Sequence, residues 1–113
     1  MSRDQSLYID DIILGIEAIM RFIVGSGYDE FIGDDKTYSA VIRKIEIIGE
    51  AAKNISSDVK DNNPHIPWSA MARMRDRLIH GYFGIDDEIL WKTITGDLPG
   101  ILDSMIDLRK RMS

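Results

Sequence analysis

The residues best suited to chemistry lie between positions 71 and 87, in the sequence MARMRDRLIHGYFGIDD. This stretch contains Arg75 and also His80, one of only two histidines in the chain. An imidazole can give and take protons near neutral pH, and a guanidinium can stabilise the negative charge of a phosphate. Together these two groups would suit acid–base chemistry at a phosphodiester.

Asp76 precedes His80 by four residues, so the two side chains would share one face of a continuous helix. In that arrangement the carboxylate could hold the imidazole in one tautomer, which makes Asp76 a candidate supporting residue. A surface histidine in an ordinary helix ion pair would have the same spacing. The pair therefore indicates a candidate acid–base group without proving one.

Arg75 falls about 40° from Met71 on a helical wheel, inside the arc that should face the bundle. An arginine among apolar neighbours is rarely left unpaired. It could extend its head group to solvent, pair with a carboxylate of another helix, or form the floor of an anion site. The residue types alone leave these three interpretations open.

In a straight helix Arg75 and His80 would point about 140° apart, because they are five residues apart. They could meet at one phosphate only if the helix unwinds near Gly81 or if a second subunit faces the first. We therefore predict a composite site at the interface of a symmetric homodimer.

Other kinds of site find little support in the sequence. His65 and His80 are fifteen residues apart and the chain has no cysteine, so we expect no metal site. His65 follows Pro64 in a polar loop, where we expect it to be an exposed bystander. We expect no strand, and hence no glycine-rich phosphate loop after one.

Helical periodicity of apolar residues predicts the elements that must position this stretch. We predict main helices over 6–24, 36–54 and 67–80, and a final helical region after Asp86, interrupted near 95–98. A short helix should begin near 56–58, and 28–32 should form a connector with Phe31 pointing inward. Asp34 or Asp35 should cap the second helix, and Asp86 the last one. The fold class predicted is all-α, an antiparallel bundle of four main helices plus a short one in a single domain, 1–113.

Charge and composition narrow the possible functions. The net charge of −5 argues against a long nucleic-acid groove, whereas the arginines at 73, 75 and 77 form a local basic patch that suits a small anion contact. No apolar run is long enough for a membrane span, and the N-terminal residues do not resemble a signal peptide. With no cysteine as well, we expect a cytoplasmic protein.

Two longer motifs complete the pattern of Arg75, four residues, His80, one residue, Tyr82. They are RKIEIIGEAAKNI and IPWSAMARMRDRLIHGYFGIDDEILW. Over nearly its whole length the chain resembles HEPN-domain toxins of the HepT type, which are encoded beside a minimal nucleotidyltransferase (MNT) antitoxin. The resemblance implies a HEPN-like helical bundle, a homodimer with the motif at its interface, and metal-independent ribonuclease activity without a cofactor.

The resemblance also implies a role for each matched residue. Arg75 would be the phosphate-binding catalytic arginine and His80 the acid–base residue. Asp76 lies where the family has a polar residue, often Asn, so the site here would be more negative. Tyr82 matches the tyrosine that the partner MNT antitoxin is thought to adenylylate, which would block the site with bulk and charge.

Two other interpretations of the motif remain open from the residues alone. The chain could be a non-catalytic HEPN module that binds a nucleotide or a partner protein in the same pocket. It could also be a purely structural dimeric bundle in which the motif is an ion-pair network. Tyr82, likewise, could be an aromatic residue packed on the core at a helix end.

Overall fold

The computed structural model describes residues 4–79 and 84–112, and within them the backbone is almost entirely helical. The first four helices are α1 (Gln5–Ile23), α2 (Tyr28–Gly33), α3 (Asp35–Lys53) and α4 (Ser57–Asn62). The remaining elements are α5 (Trp68–Ala72), α6 (Met74–Leu78), α7 (Asp87–Lys92), a π-helical turn (Thr93–Asp97) and α8 (Leu98–Arg111). The predicted all-α class is confirmed.

Contacts near the helix ends show how the three long helices run. The Gln5 side chain donates to the Asn54 carbonyl at 3.3 Å and accepts from the Ser56 N–H at 2.7 Å, so α1 begins where α3 ends. Arg109, near the end of α8, pairs with Asp10 near the start of α1 at 2.8 Å. Both α3 and α8 are therefore antiparallel to α1, as expected for this bundle.

The hydrophobic core lies between these three helices, each of which buries one apolar stripe. The members of the stripes with at most 1% of their surface exposed are Ile9, Ile12, Ile16, Ile19, Val41, Ile45, Ile48, Ala52, Leu98 and Met105. Their three- and four-residue spacing is the reason that the sequence predicted α1 and α3 to within a residue at each end.

Side-chain caps define several helix starts. Asp34 accepts from the Thr37 N–H at 3.2 Å and Asp86 from the Ile89 N–H at 3.2 Å, so the predicted caps of α3 and α7 are confirmed. The Ser56 hydroxyl caps α4 in the same way. The predicted connector at 28–32 is instead α2, although Phe31 is buried as expected.

The predicted helix over 67–80 is wrong in its continuity and its end. It is interrupted at Arg73 (φ −97°, ψ 3°) and stops at Leu78, after which Ile79 is extended (φ −106°, ψ 110°). The Leu78 carbonyl accepts from the Asp86 N–H at 3.1 Å, and Ile79 forms an isolated antiparallel bridge with Ile85. Backbone pairing with 85–86 thus replaces the next helical turn.

The interruption predicted near 95–98 is present as the π-helical turn Thr93–Asp97, through which the helix continues into α8. Pro99 has no N–H to donate to the carbonyl four residues earlier, so regular α-helical pairing fails at this point. The wider π turn accommodates that loss without breaking the rod.

A search of the described residues for a helix long and apolar enough to cross a membrane finds none.

Two glycines lie where helices approach each other closely. A Cβ on Gly15 would be 2.9 Å from Cγ1 of Ile48, so α1 and α3 pack without room for a methyl group. A Cβ on Gly49 would be 3.5 Å from the Met71 carbonyl oxygen and 3.6 Å from that of Ala72, which is ordinary van der Waals contact. Helices α3 and α5 therefore pack closely at Gly49, with space for one carbon.

The two sites should respond differently to alanine. Gly49→Ala should raise the free energy of unfolding by up to about 1 kcal/mol, because alanine favours a helix interior and fits the space. Gly15→Ala should show no such gain, because Ile48 must shift to admit the methyl group. Urea unfolding of both variants tests this, and a Gly15→Ala variant as stable as Gly49→Ala would contradict it.

An aromatic cluster fastens α7 to α2 and α3. The Phe31 ring lies 5.4 Å from both Tyr38 and Trp91, measured between ring centroids. The Tyr38 hydroxyl donates to the Asp87 carboxylate. Desolvation, followed by the hydrogen bond to Asp87, raises the pKa of Tyr38 well above the ordinary value of 10.0.

This raised pKa predicts a loss of stability in alkali. Because folding favours protonated Tyr38, its contribution is complete below about pH 10 and declines as the pH rises from there toward the folded-state pKa. Tyr38→Phe should cost about 1 kcal/mol at neutral pH and flatten the alkaline decline. Urea unfolding between neutral pH and pH above 10 measures both effects. Parallel pH curves for the variant and the wild type would refute the prediction.

Candidate functional site

The structure describes two of the four predicted site residues. Arg75 and Asp76 lie on α6, whereas His80 and Tyr82 lie outside the described residues. In the chain, His80 and Tyr82 fall between Ile79 and Ile85, the two residues joined by the antiparallel bridge. The described part of the site therefore consists of α6 and the backbone pairing that follows it.

Two buried side chains hold α6 in place. Met74 and Leu78 are four residues apart and are 4% and 1% exposed, so they anchor one face of this five-residue helix in the core. The intervening Arg75, Asp76 and Arg77 are exposed. A helix this short has little stability of its own, so tertiary contacts determine where these charges lie.

The helical wheel predicts the wrong environment for Arg75. The wheel assigned it to the apolar arc, but 51% of its side chain is exposed. The wheel assumed one helix through Met71 and Arg75, whereas the interruption at Arg73 changes the direction of the chain between them. Of the three interpretations left open by the sequence, pairing with a carboxylate of another helix matches the structure.

Two carboxylates flank the Arg75 guanidinium. Nε lies 3.8 Å from Oε2 of Glu46 on α3, and Nη1 lies 3.6 Å from Oδ1 of Asp76. Both distances are those of ion pairs rather than hydrogen bonds. Since all three side chains are more than a third exposed, these pairs are partly solvated and weak. At these distances neither carboxylate takes up a hydrogen bond of the guanidinium, so its N–H donors remain available for an anion.

Asp76 contacts Arg75. The partner that its spacing suggested, His80, lies outside the described residues. Helical i, i+4 geometry between Asp76 and His80 requires α6 to continue, and α6 ends at Leu78. The predicted angle of about 140° between Arg75 and His80 assumed a straight helix through both residues, and α6 ends before it could contain both. Of the two ways in which those residues could meet, an early helix end is present, and it lies before Gly81.

Arg77 faces a different surface from Arg75. With His65 it lines an open groove of about 440 Å³ between α5, α6 and the start of α8. His65 is exposed, as its place in a polar loop suggested. The three arginines at alternate positions therefore do not form one basic patch.

Glu46 is a residue of the site that the sequence did not single out, because its position on α3 is also that of an ordinary solvated helix face. It is partly buried and reaches Arg75 because α5 packs against Gly49, three residues further along α3. A glycine inside a helix was the available signal, since it marks close approach of another backbone. Gly49 indicated that another helix packs against α3, but it did not indicate which charged residue of α3 would face that helix.

No group of three or more histidine, aspartate or glutamate side chains within 4–79 and 84–112 is arranged to hold a metal ion. The chemistry available in the described part of the site is that of a half-exposed guanidinium with carboxylates on two sides.

Comparison with known proteins shows that the chain matches a family. Residues 12–110 match the family model described as "Ribonuclease HepT-like". The chain is 49% identical over 110 residues to "Probable ribonuclease HepT" of Thermococcus cleftensis, covering 97% of this chain and all of that protein. It is 40% identical to "Putative RNase MJ0127" of Methanocaldococcus jannaschii, covering 96% of this chain and 89% of the relative.

A third relative has a different organisation. "Gamma-glutamylcyclotransferase and putative RNase MJ0434" of Methanocaldococcus jannaschii is 35% identical over 112 residues, covering 99% of this chain but only 50% of that protein. No solved structure matches the chain.

Proposed function

This chain belongs to the HepT-like ribonuclease family, and from that membership we propose that it is a metal-independent endoribonuclease and the toxin of a toxin–antitoxin pair. The observation that supports a catalytic site most directly is the state of Arg75. Met74 and Leu78 anchor its helix in the core. Half of the Arg75 side chain is exposed, and its guanidinium lies at ion-pair distance from the two flanking carboxylates, too far for a hydrogen bond. Such a group can bind a phosphate from solvent.

In the proposed reaction the ribose 2′-oxygen attacks the adjacent phosphorus. The new bond joins the 2′-oxygen to phosphorus, and the bond from phosphorus to the 5′-oxygen of the next nucleotide breaks. His80 assists the proton transfers, and Arg75 stabilises the charge on the non-bridging phosphate oxygens. The reaction needs a 2′-hydroxyl, so DNA is not a substrate.

We propose a homodimer in which two copies of the motif form the site. Helical spacing no longer argues for it, because α6 ends at Leu78. Its support is the resemblance to HepT-type toxins. A symmetric dimer would also bring a second Arg75 toward the first and double the positive charge available to the RNA backbone.

The proposed regulator is a cognate MNT-type nucleotidyltransferase antitoxin that adenylylates Tyr82. Tyr82 follows Arg75 and His80 closely in the sequence, so the added nucleotide would introduce a phosphate near both residues. Its charge and bulk would then compete with RNA for the same guanidinium.

Purified protein should cleave single-stranded RNA in the presence of EDTA and leave DNA of the same sequence intact. Arg75→Ala and His80→Ala should each lower the cleavage rate on the order of 10²-fold or more, because each removes a group that acts on the reacting phosphate or its protons. Gel analysis of end-labelled RNA measures the rates.

His65→Ala is the matched control, since it removes the other histidine, which lines the groove with Arg77. It should cleave like the wild type. If the wild type is folded yet inactive on varied RNAs, the chain is instead a non-catalytic HEPN module. Equal cutting of DNA would reject 2′-hydroxyl attack.

Co-expression with the MNT-type antitoxin should increase the intact mass of the chain by one or more AMP units and abolish RNA cleavage. Tyr82→Phe should remove the mass increase, because phenylalanine has no hydroxyl to accept the nucleotide. Tyr28→Phe, at a partly exposed tyrosine of α2, should retain it. An unchanged wild-type mass, or an increase that persists in Tyr82→Phe, would contradict this proposal.

A further inference from the structure

We infer that Glu46 is a positioning residue for Arg75, holding the guanidinium in the orientation in which it receives the scissile phosphate. The inference rests on the proposed ribonuclease function. It assigns a role to a residue on α3, a helix that lies outside the Arg75–His80–Tyr82 motif, and it makes the site a joint product of α3 and α6.

The backbone brings Glu46 and Arg75 together in three steps. Gly49 on α3 allows the carbonyl end of α5 to approach closely, with the Met71 carbonyl oxygen 3.5 Å from where a Cβ would lie. The chain then turns at Arg73 and starts α6. Arg75 therefore projects beside the residue that precedes Gly49 by three positions on α3, which is Glu46.

The two carboxylates contact different edges of the guanidinium. Glu46 lies near Nε, whereas Asp76 lies near Nη1. Neither carboxylate is within hydrogen-bond distance at these contacts, and a guanidinium has five N–H donors, so donors remain for a phosphate oxygen. A carboxylate on the Nε side thus limits rotation of the guanidinium while leaving an outward-facing edge for the substrate.

Glu46 differs from Asp76 in the rigidity of its support. Asp76 is on the same five-residue helix as Arg75 and 67% of its side chain is exposed. Glu46 is on a 19-residue helix in the core, between the buried Ile45 and Ile48, and 37% of its side chain is exposed. Of the two carboxylates, only Glu46 therefore connects Arg75 to the rigid part of the bundle.

Restraint of this kind should act on the chemical step more than on binding. Aligning a donor with the charge that develops on phosphate lowers the barrier. The same carboxylate repels the phosphate of the bound RNA, although solvent screens the repulsion. Removal of the charge should therefore lower kcat without raising KM. Because a loss of folded protein would also lower the apparent kcat at unchanged KM, coupling to Arg75 and the Arg75 Nε–H resonance are the readouts that identify positioning.

Glu46→Gln preserves the length of the side chain and removes its charge. We expect kcat for RNA cleavage to fall about tenfold, with KM unchanged or lower. Glu50→Gln is the matched control, because Glu50 lies one turn further along the same exposed face of α3 and forms no ion pair in the described part of the chain. It should behave like the wild type.

Coupling to Arg75 separates positioning from a general effect of charge. In an Arg75→Lys background, where no Nε edge is present, Glu46→Gln should change kcat less than about twofold. An equal loss in both backgrounds would overturn the inference. A Glu46→Gln variant with higher kcat/KM would also overturn it, since Glu46 would then compete with the phosphate.

A readout without catalysis keeps this test independent of the ribonuclease proposal. The Arg75 Nε–H resonance in ¹H–¹⁵N spectra, assigned by its loss in Arg75→Lys, should exchange with solvent more slowly in the wild type and in Glu50→Gln than in Glu46→Gln. Inactivity of the wild type on RNA would reject the proposed function alone. Identical exchange in all three proteins would reject the role of Glu46.

Discussion

The approach of α5 to α3 at Gly49 is the constraint on which the rest of the site depends. The carbonyl oxygens of Met71 and Ala72 lie 3.5 and 3.6 Å from where a Cβ of residue 49 would be, so the end of α5 packs directly against α3. The chain turns at Arg73, between the buried Met71 of α5 and the buried Met74 of α6. That turn displaces Arg75 from the apolar arc and exposes it beside Glu46.

A second constraint follows at the end of α6. The Leu78 carbonyl accepts from the Asp86 N–H, and Ile79 forms a bridge with Ile85, so the end of α6 lies beside the residues that precede α7. The cap of Asp86 and the Tyr38–Asp87 hydrogen bond then fasten α7 to the bundle. Ile79 and Ile85, which stand on either side of His80 and Tyr82 in the sequence, are thus both attached to the bundle.

The long helices were predictable because their information is local. Apolar residues at three- and four-residue spacing define α1 and α3, and Asp34 and Asp86 cap helices wherever such sequences occur. The division of 67–80 was not predictable in this way. Trp68, Met71, Met74 and Leu78 have helical spacing, and the turn at Arg73 arises from contacts with α3 and pairing with 85–86. Helix α3 lies much earlier in the chain and residues 85–86 come after α6, so neither contact belongs to the local sequence pattern of 67–80.

By itself, the sequence determined the helical class, the long core helices, and the family, through the motif around Arg75, His80 and Tyr82. Residue types and short-range spacing suffice for these properties. Only the tertiary structure decided which way Arg75 points and that Glu46, twenty-nine residues earlier, is the carboxylate beside it. A side chain on a five-residue helix has no orientation of its own, because its direction depends on the packing of that helix against the rest of the molecule.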